Sequence, residues 1–273
     1  MSVPTSESAH TEGTPGRDTG IPPLGAIPWG SHICQFYDTT EDLIEIAVPF
    51  IHAGLDGGEF CWWLACEPCG PVEALAALRV AIPDVDQRLA RGDVEILECR
   101  EWLAPDGPFD ADRAVAAFLE KRLLGLERGY SGVRLHANVA WLDEASAGPY
   151  ADFERTLDRT LAGERVIVLC TYPLAGVSGS QVFNVAGTHD FSIGRRAGRW
   201  EVLENADVAG IKREIERRNV ALEAGLVDRT RELRQTQIAL HDREEIHRLL
   251  ADNTTDIISL FDVHQQRVFV TPS

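Results

Sequence analysis

The spacing of apolar residues alternates along this chain between two periods. Runs rich in β-branched and aromatic residues at 32–37, 59–66, 93–98, 132–138 and 164–171 are bounded by glycine, aspartate or asparagine, as strands are. Between them, apolar residues recur three and four apart over 40–54, 71–81, 110–128, 150–162 and 179–187, which predicts helices. Segments 189–195 and 199–203 read as a terminal hairpin turning near Ala197-Gly198. Strands separated by helices imply right-handed crossovers and a mostly parallel sheet covered on both faces. The stretch Arg165–Thr171 is almost continuously apolar, as a central parallel strand should be. The expected fold class is therefore a three-layer α/β domain.

The turn after the first strand carries the most chemical information. A nucleotide-binding domain of this class keeps its phosphate loop there, with glycines that expose backbone N–H groups and a lysine for the phosphates. Here the turn is Asp38-Thr39-Thr40-Glu41-Asp42, acidic and without glycine or lysine. Carboxylates at a helix N-terminus repel phosphate. Asp38 and Glu41 have the spacing of a capping box, and Gly54, followed by Gly57-Gly58, marks the helix stop. No catalytic residue, cofactor or metal is expected, and the domain is read as non-enzymatic.

After Glu204 the pattern changes. Residues 206–250 lack proline and are dense in Arg, Glu and Leu. One column repeats every seven residues (Asn219, Leu226, Leu233, Leu240, His247) and faces a weaker one (Ile215, Leu222, Arg229, Thr236, Arg243). This predicts a dimerising coiled coil; a single amphipathic helix packed on the sheet domain is the alternative. Residues 251–273 hold two further strands, 257–261 and 267–270, too few for a domain. Residues 1–27 are rich in Ser, Thr, Gly and Pro and read as a disordered tail.

The net charge of −17 argues against nucleic acid or anionic membrane as partner, since both need a basic footprint. No apolar run approaches the roughly 20 residues of a membrane span, and the N-terminus lacks a signal-peptide pattern. The expectation is a cytoplasmic protein whose six cysteines are reduced thiols. Cys66-Glu67-Pro68-Cys69 has no second pair to complete a zinc motif. Ligands of open parallel sheets bind beyond the carboxyl ends of the strands. That rule makes His32, Tyr37, Glu67, Trp102, His136, Asn138, Trp141 and Tyr172 the candidate ligand contacts. Trp62 and Trp63 are expected in the core. Ser178, Ser180 and His189 lack the nucleophile elbow of a serine hydrolase. His241 and His247 are expected to be exposed on the long helix.

The segments 32–68, 94–110, 132–142, 166–174 and 189–204 resemble the MEDS family, the methanogen/methylotroph sensory domain of prokaryotic regulators. The resemblance runs over 28–204. It implies a module that senses small organic molecules and signals to an attached output domain. The same block is more distantly similar to the RecA-like fold of clock-type (KaiC) ATPases, in which Glu67 would match a glutamate ending the second strand. The residues from Glu244 onward resemble the start of a PAS domain, an incomplete one at 251–273. Together these imply a sensor or regulator, in a two-component pathway or similar. It would take a small organic ligand at a degenerate nucleotide site and act as a homodimer through 206–250 toward an output domain or partner kinase. The alternative is a scaffold domain, without ligand, of a histidine-kinase or sigma-factor pathway.

Overall fold

A computed structural model describes residues 16–105, 107–175, 177–252, 259–261 and 263–270. Contacts divide the chain into two units, Met1–Glu216 and Arg217–Ser273.

The first unit begins with β1 (Arg17–Asp18) and β2 (Ala26–Ile27), a short antiparallel pair. Then follow β3 (His32–Tyr37), α1 (Thr40–Asp56), β4 (Phe60–Ala65), α2 (Pro71–Ala81), α3 (Val85–Arg91), β5 (Val94–Glu98) and α4 (Cys99–Leu103). The chain continues through α5 (Ala111–Glu127), β6 (Val133–Asn138), α6 (Glu144–Leu161), β7 (Val166–Pro173), α7 (Gly179–Thr188), β8 (Phe191–Arg196) and β9 (Arg199–Glu204). The last helix, α8 (Ala206–Asp252), leads from it into the second unit, where β10 (Ser259–Phe261) and β11 (Arg267–Val270) pair antiparallel.

The sheet has seven strands in the order β5-β4-β6-β7-β3-β8-β9, parallel except for the β8–β9 hairpin. This is the three-layer architecture the alternating pattern implied. Because successive strand residues point to opposite faces, the central strands sort their side chains into two cores. Ile33, Cys61, Trp63, Ile167 and Leu169 pack with α1, α2 and α3. Phe60, Trp62, Leu64, Leu135, Val168 and Cys170 pack with residues of α4, α5 and α6. Trp62 and Trp63 are fully buried, one in each core.

Several details depart from the sequence reading. The cap of α1 is Thr39 with Asp42 at the third helical position, one residue beyond Asp38 and Glu41, because the helix begins at Thr40 and Thr39 Oγ1 and the Asp42 carboxylate exchange hydrogen bonds with each other's backbone N–H groups. Gly54 lies inside α1, which ends at Asp56 with Gly57 as its cap. A Cβ on Gly54 would sit 2.7 Å from Arg134 Cδ and 2.8 Å from Cys61 Sγ, so this glycine makes room for a buried arginine. α6 starts at Glu144 and carries Pro149, while α3 and α4 were too short to show a helical period. Residues 16–27, read as tail, are folded: Ile21 and Ile27 are buried in the first core, and Arg17 pairs with Glu59. Residues 1–15, and Ile257 and Ile258 of the last expected strands, lie outside the described residues.

In α8, Leu222, Leu226, Leu233 and Leu240 are 56–67 % exposed. The apolar column found in the sequence is thus uncovered within one chain. His241 is likewise exposed, and the side chain of His247 lies outside the described residues.

Candidate functional site

Three places at or near the sheet combine polar chemistry with space or burial. The first is the turn between β3 and α1. Thr39 Oγ1 accepts from Asp42 N at 3.1 Å, and Asp42 Oδ2 accepts from Thr39 N at 3.2 Å and Asp38 N at 3.3 Å. Arg195, arriving from β8, pairs with the same carboxylate. Burial pushes the Asp42 carboxyl up, but Arg195 and the N–H groups of Thr39 and Asp38 outweigh it and hold the group below its usual range. The N–H groups of Asp38 and Thr39 at the start of α1 are therefore occupied by a side chain of the helix itself. Beside this turn, Tyr37 Oη donates to Asn138 Oδ1 at 3.1 Å, and Asn138 Nδ2 donates to Cys66 O at 3.2 Å. The Cys99 thiol approaches Asn138 O at 3.3 Å. Burial pushes the Tyr37 phenol and the Cys99 thiol well up, so both stay protonated and act as donors. Polar groups at this part of the carboxyl edge satisfy one another.

The second place is an open cleft of about 640 Å³ just past the ends of β5 and β6. Glu98, Arg100, Phe109, Trp141, Asp143 and Ser146 are among its walls. Asp143 caps α6 through Ser146 N at 2.9 Å, and Arg100 reaches Asp143 at 3.6 Å. Phe109 and Trp141 continue inward as an aromatic cluster with Tyr150 and Phe153, with ring centroids 5.4–6.1 Å apart. Behind this cluster is a small apolar void of about 10 Å³ against Leu64, Trp102, Leu135, Ala137 and Cys170.

The third place is buried between the sheet and α6. His32 at the start of β3, Glu154 on α6, Cys170 on β7 and His189 just before β8 bring one ligating atom each to within 4.8 Å of one another. All four side chains are at most 5 % exposed. His32 Nε2 lies 3.2 Å from Glu154 Oε2 and 3.5 Å from Cys170 Sγ, and His189 Nε2 lies 3.4 Å from Glu154 Oε2. The two imidazoles face each other with centroids 3.9 Å apart. His189 Nδ1 is 2.8 Å from Val185 O. A carbonyl only accepts, so Nδ1 carries a proton there and Nε2 is the nitrogen turned toward Glu154. Asp158 Oδ1 stands 3.6 Å from His32 Nδ1. Burial, and then the Glu154 carboxylate, push the Tyr150 phenol and the Cys170 thiol well up.

The eight residues expected to touch a ligand do not converge on one pocket. The strand pleat sends Tyr37, His136 and Asn138 to the face covered by α1, and His32 and Tyr172 to the face covered by α6. His136 is fully buried, edge-on to Trp63 at 4.8 Å and bonded to Thr171 Oγ1 at 3.2 Å. Burial lowers its pKa to about 3, so it is a neutral core residue. Tyr172 stands edge-on to His189 at 5.9 Å. Trp102 packs edge-on to Trp62 at 4.7 Å and lines the small void, Trp141 lines the cleft, and Glu67 is exposed at the tip of its turn. Sequence reasoning missed Glu154, Cys170 and His189, which with His32 come from four separate elements. Only the pairing of β7 with β3, which sets Cys170 opposite Cys34, next to His32 of the cluster on the same face, brings Cys170 and His32 together.

Comparison with known proteins bears on this arrangement. The profile of the family described as MEDS, methanogen/methylotroph, DcmR sensory domain, matches residues 31–190, a span that contains all four residues of the buried cluster. The transcriptional repressor DcmR of Methylorubrum extorquens is 25 % identical over 169 residues, covering 60 % of this chain and 60 % of the repressor. The match thus spans less than two thirds of that relative's length. Two solved structures are also similar. The flagellar accessory protein FlaH of Methanocaldococcus jannaschii has 13 % identity and a TM-score of 0.44, over 67 % of this chain and 82 % of that one. A KaiC-like protein of Pyrococcus horikoshii has 16 % identity and a TM-score of 0.48, over 70 % and 87 %.

Proposed function

The chain belongs to the MEDS family of sensory domains, and from that premise we propose that it is a signal-sensing module that takes a small apolar or aromatic molecule into the cleft beyond β5 and β6. The observation that carries this reading is the cleft itself. At about 640 Å³ it falls in the size range of small-molecule sites, it lies outside the carboxyl ends of parallel strands, and Phe109 and Trp141 give it aromatic walls. The aromatic cluster behind those walls couples the cleft to the packing of α6 on the sheet.

The output is proposed to run through α8 as a homodimer, because Leu226, Leu233 and Leu240 form a seven-residue column left uncovered in one chain. Its recipient would be an attached output domain or a partner kinase. The domain is proposed to be non-enzymatic, a reading supported by the Asp42 carboxylate taking up the Asp38 and Thr39 N–H groups at the start of α1. A second reading, a scaffold domain that signals by subunit contacts alone, is favoured by the self-satisfied edge around Tyr37, Asn138 and Cys66.

The test is titration of the full chain with a panel of small alkanes, alcohols, halocarbons and aromatics, followed by tryptophan fluorescence and thermal shift. Saturable responses that vanish in both Trp141→Ala and Phe109→Ala support the cleft. A panel without any response, or responses unchanged in those variants, sinks it and leaves the scaffold reading.

A further inference from the structure

We infer that His32, Glu154, Cys170 and His189 form a binding site for one divalent transition-metal ion of the zinc type. The site is built from β3, α6, β7 and the residue ahead of β8.

The geometry is the first argument. Metal–nitrogen and metal–oxygen bonds of about 2.0–2.1 Å and a metal–sulfur bond of about 2.3 Å, set at tetrahedral angles, put N···O edges at about 3.3–3.4 Å and N···S edges at about 3.6 Å. Two N···O separations here are 3.2 and 3.4 Å, and the N···S separation is 3.5 Å. The rest do not exceed 4.8 Å, so small side-chain shifts would close the tetrahedron.

Charge is the second argument. Among the described residues, no lysine or arginine pairs with Glu154, whose ion-pair partners are His32 and His189. Neither Glu154 oxygen has a donor in good hydrogen-bond geometry, although the Tyr150 hydroxyl and the Cys170 thiol approach it. A buried carboxylate in that state is costly. A dication bound by one carboxylate, one thiolate and two neutral imidazoles gives a site of zero net charge. Binding releases the Cys170 proton to solvent, and the S–H bond is replaced by a metal–sulfur bond.

Orientation is the third. Val185 O takes the His189 Nδ1 proton and leaves Nε2 as the nitrogen that faces the cluster, and Asp158 stands behind His32 Nδ1. Metal-bound histidines carry such an acceptor on the nitrogen away from the ion. Two imidazoles and a thiolate select zinc, cobalt or iron over calcium and magnesium, which prefer oxygen.

The inference is independent of whether the cleft holds an organic ligand, and its readouts need none. The full-length protein would be analysed for metal as purified, stripped with chelator and titrated with Co²⁺ and Zn²⁺. The expected result is about one equivalent of metal per chain, tetrahedral Co²⁺ ligand-field bands, and a thiolate-to-cobalt charge-transfer band in the near ultraviolet. Cys170→Ser should lose the charge-transfer band, and His189→Gln should weaken Co²⁺ binding by at least about tenfold. Cys66→Ser and Cys99→Ser, away from the cluster, should retain the full spectrum. If either ligand variant fails to fold, the wild-type spectrum still decides. Protein that retains no metal and gives no tetrahedral Co²⁺ bands overturns the proposal in favour of an imidazolium–carboxylate cluster, as does an unaltered spectrum in folded Cys170→Ser.

Discussion

The guanidinium of Arg134 lies across both carboxylate oxygens of Glu59, with Nε donating to Oε2 at 2.7 Å and Nη2 to Oε1 at 3.0 Å. Both side chains are almost completely buried, and Nη1 and Nη2 also donate to Phe50 O and Asp18 O, each at 2.9 Å. The pair ties α1, the start of β4, β6 and the folded N-terminal segment together at the end of the sheet opposite the cleft. Breaking one side of a buried pair leaves the other charge poorly compensated, here Glu59 with only the partly exposed Arg17, whereas replacing both with apolar residues can be close to neutral. Arg134→Met should therefore lower unfolding free energy by about 3–5 kcal/mol in urea denaturation, with Arg134→Met/Glu59→Leu regaining most of the loss. A double variant as unstable as the single one would contradict this account.

The cap of α1 makes a second quantitative claim. Thr39→Ala removes the acceptor for Asp42 N and should cost about 1 kcal/mol, read as a lower Tm. Asp42→Ala should cost more, because it also orphans Asp38 N, Thr39 N and the Arg195 partner. With the wild-type turn closed in this way, MgATP should neither raise Tm nor release phosphate. Measurable turnover would refute the non-enzymatic reading.

His136 gives the fold an acid sensitivity of known sign. Its folded-state pKa is lowered from 6.5 to about 3, so between these values the unfolded chain binds a proton that the folded chain does not. This contribution is complete above about pH 6.5 and falls by up to about 1.4 kcal/mol per pH unit toward pH 3. His136→Gln should therefore flatten the dependence of unfolding free energy on pH across that window. Parallel curves for the two proteins would show that another group carries the acid response.

The long helix yields a test of assembly. Leu226, Leu233 and Leu240 are 56–67 % exposed in one chain, and a partner helix that supplies the other half of the seam would remove that apolar column from water. Light scattering should give a dimer for the full chain and a monomer for Leu226→Ser/Leu233→Ser/Leu240→Ser. A triple variant that remains dimeric would move the interface elsewhere.

The alternation of the main strands and helices, the two buried tryptophans and the heptad column of α8 were legible in the sequence. Each depends on residues close together in the chain: a period of two or of 3.6, a tight turn, a repeat of seven. What the sequence could not show is which distant residues meet. Two strand residues one apart, such as Tyr172 and Thr171, face different helical layers, so candidates chosen together at the strand ends were divided between two cores. His32, Glu154, Cys170 and His189 span more than half the chain in sequence and have no common spacing. They come together only because β7 and β8 both pair with β3 and because α6 crosses over that face. The sequence determined local structure through short-range periodicity and turn chemistry. Sheet order and the choice of face, which follow from the packing of the whole domain, decided where the chemistry lies.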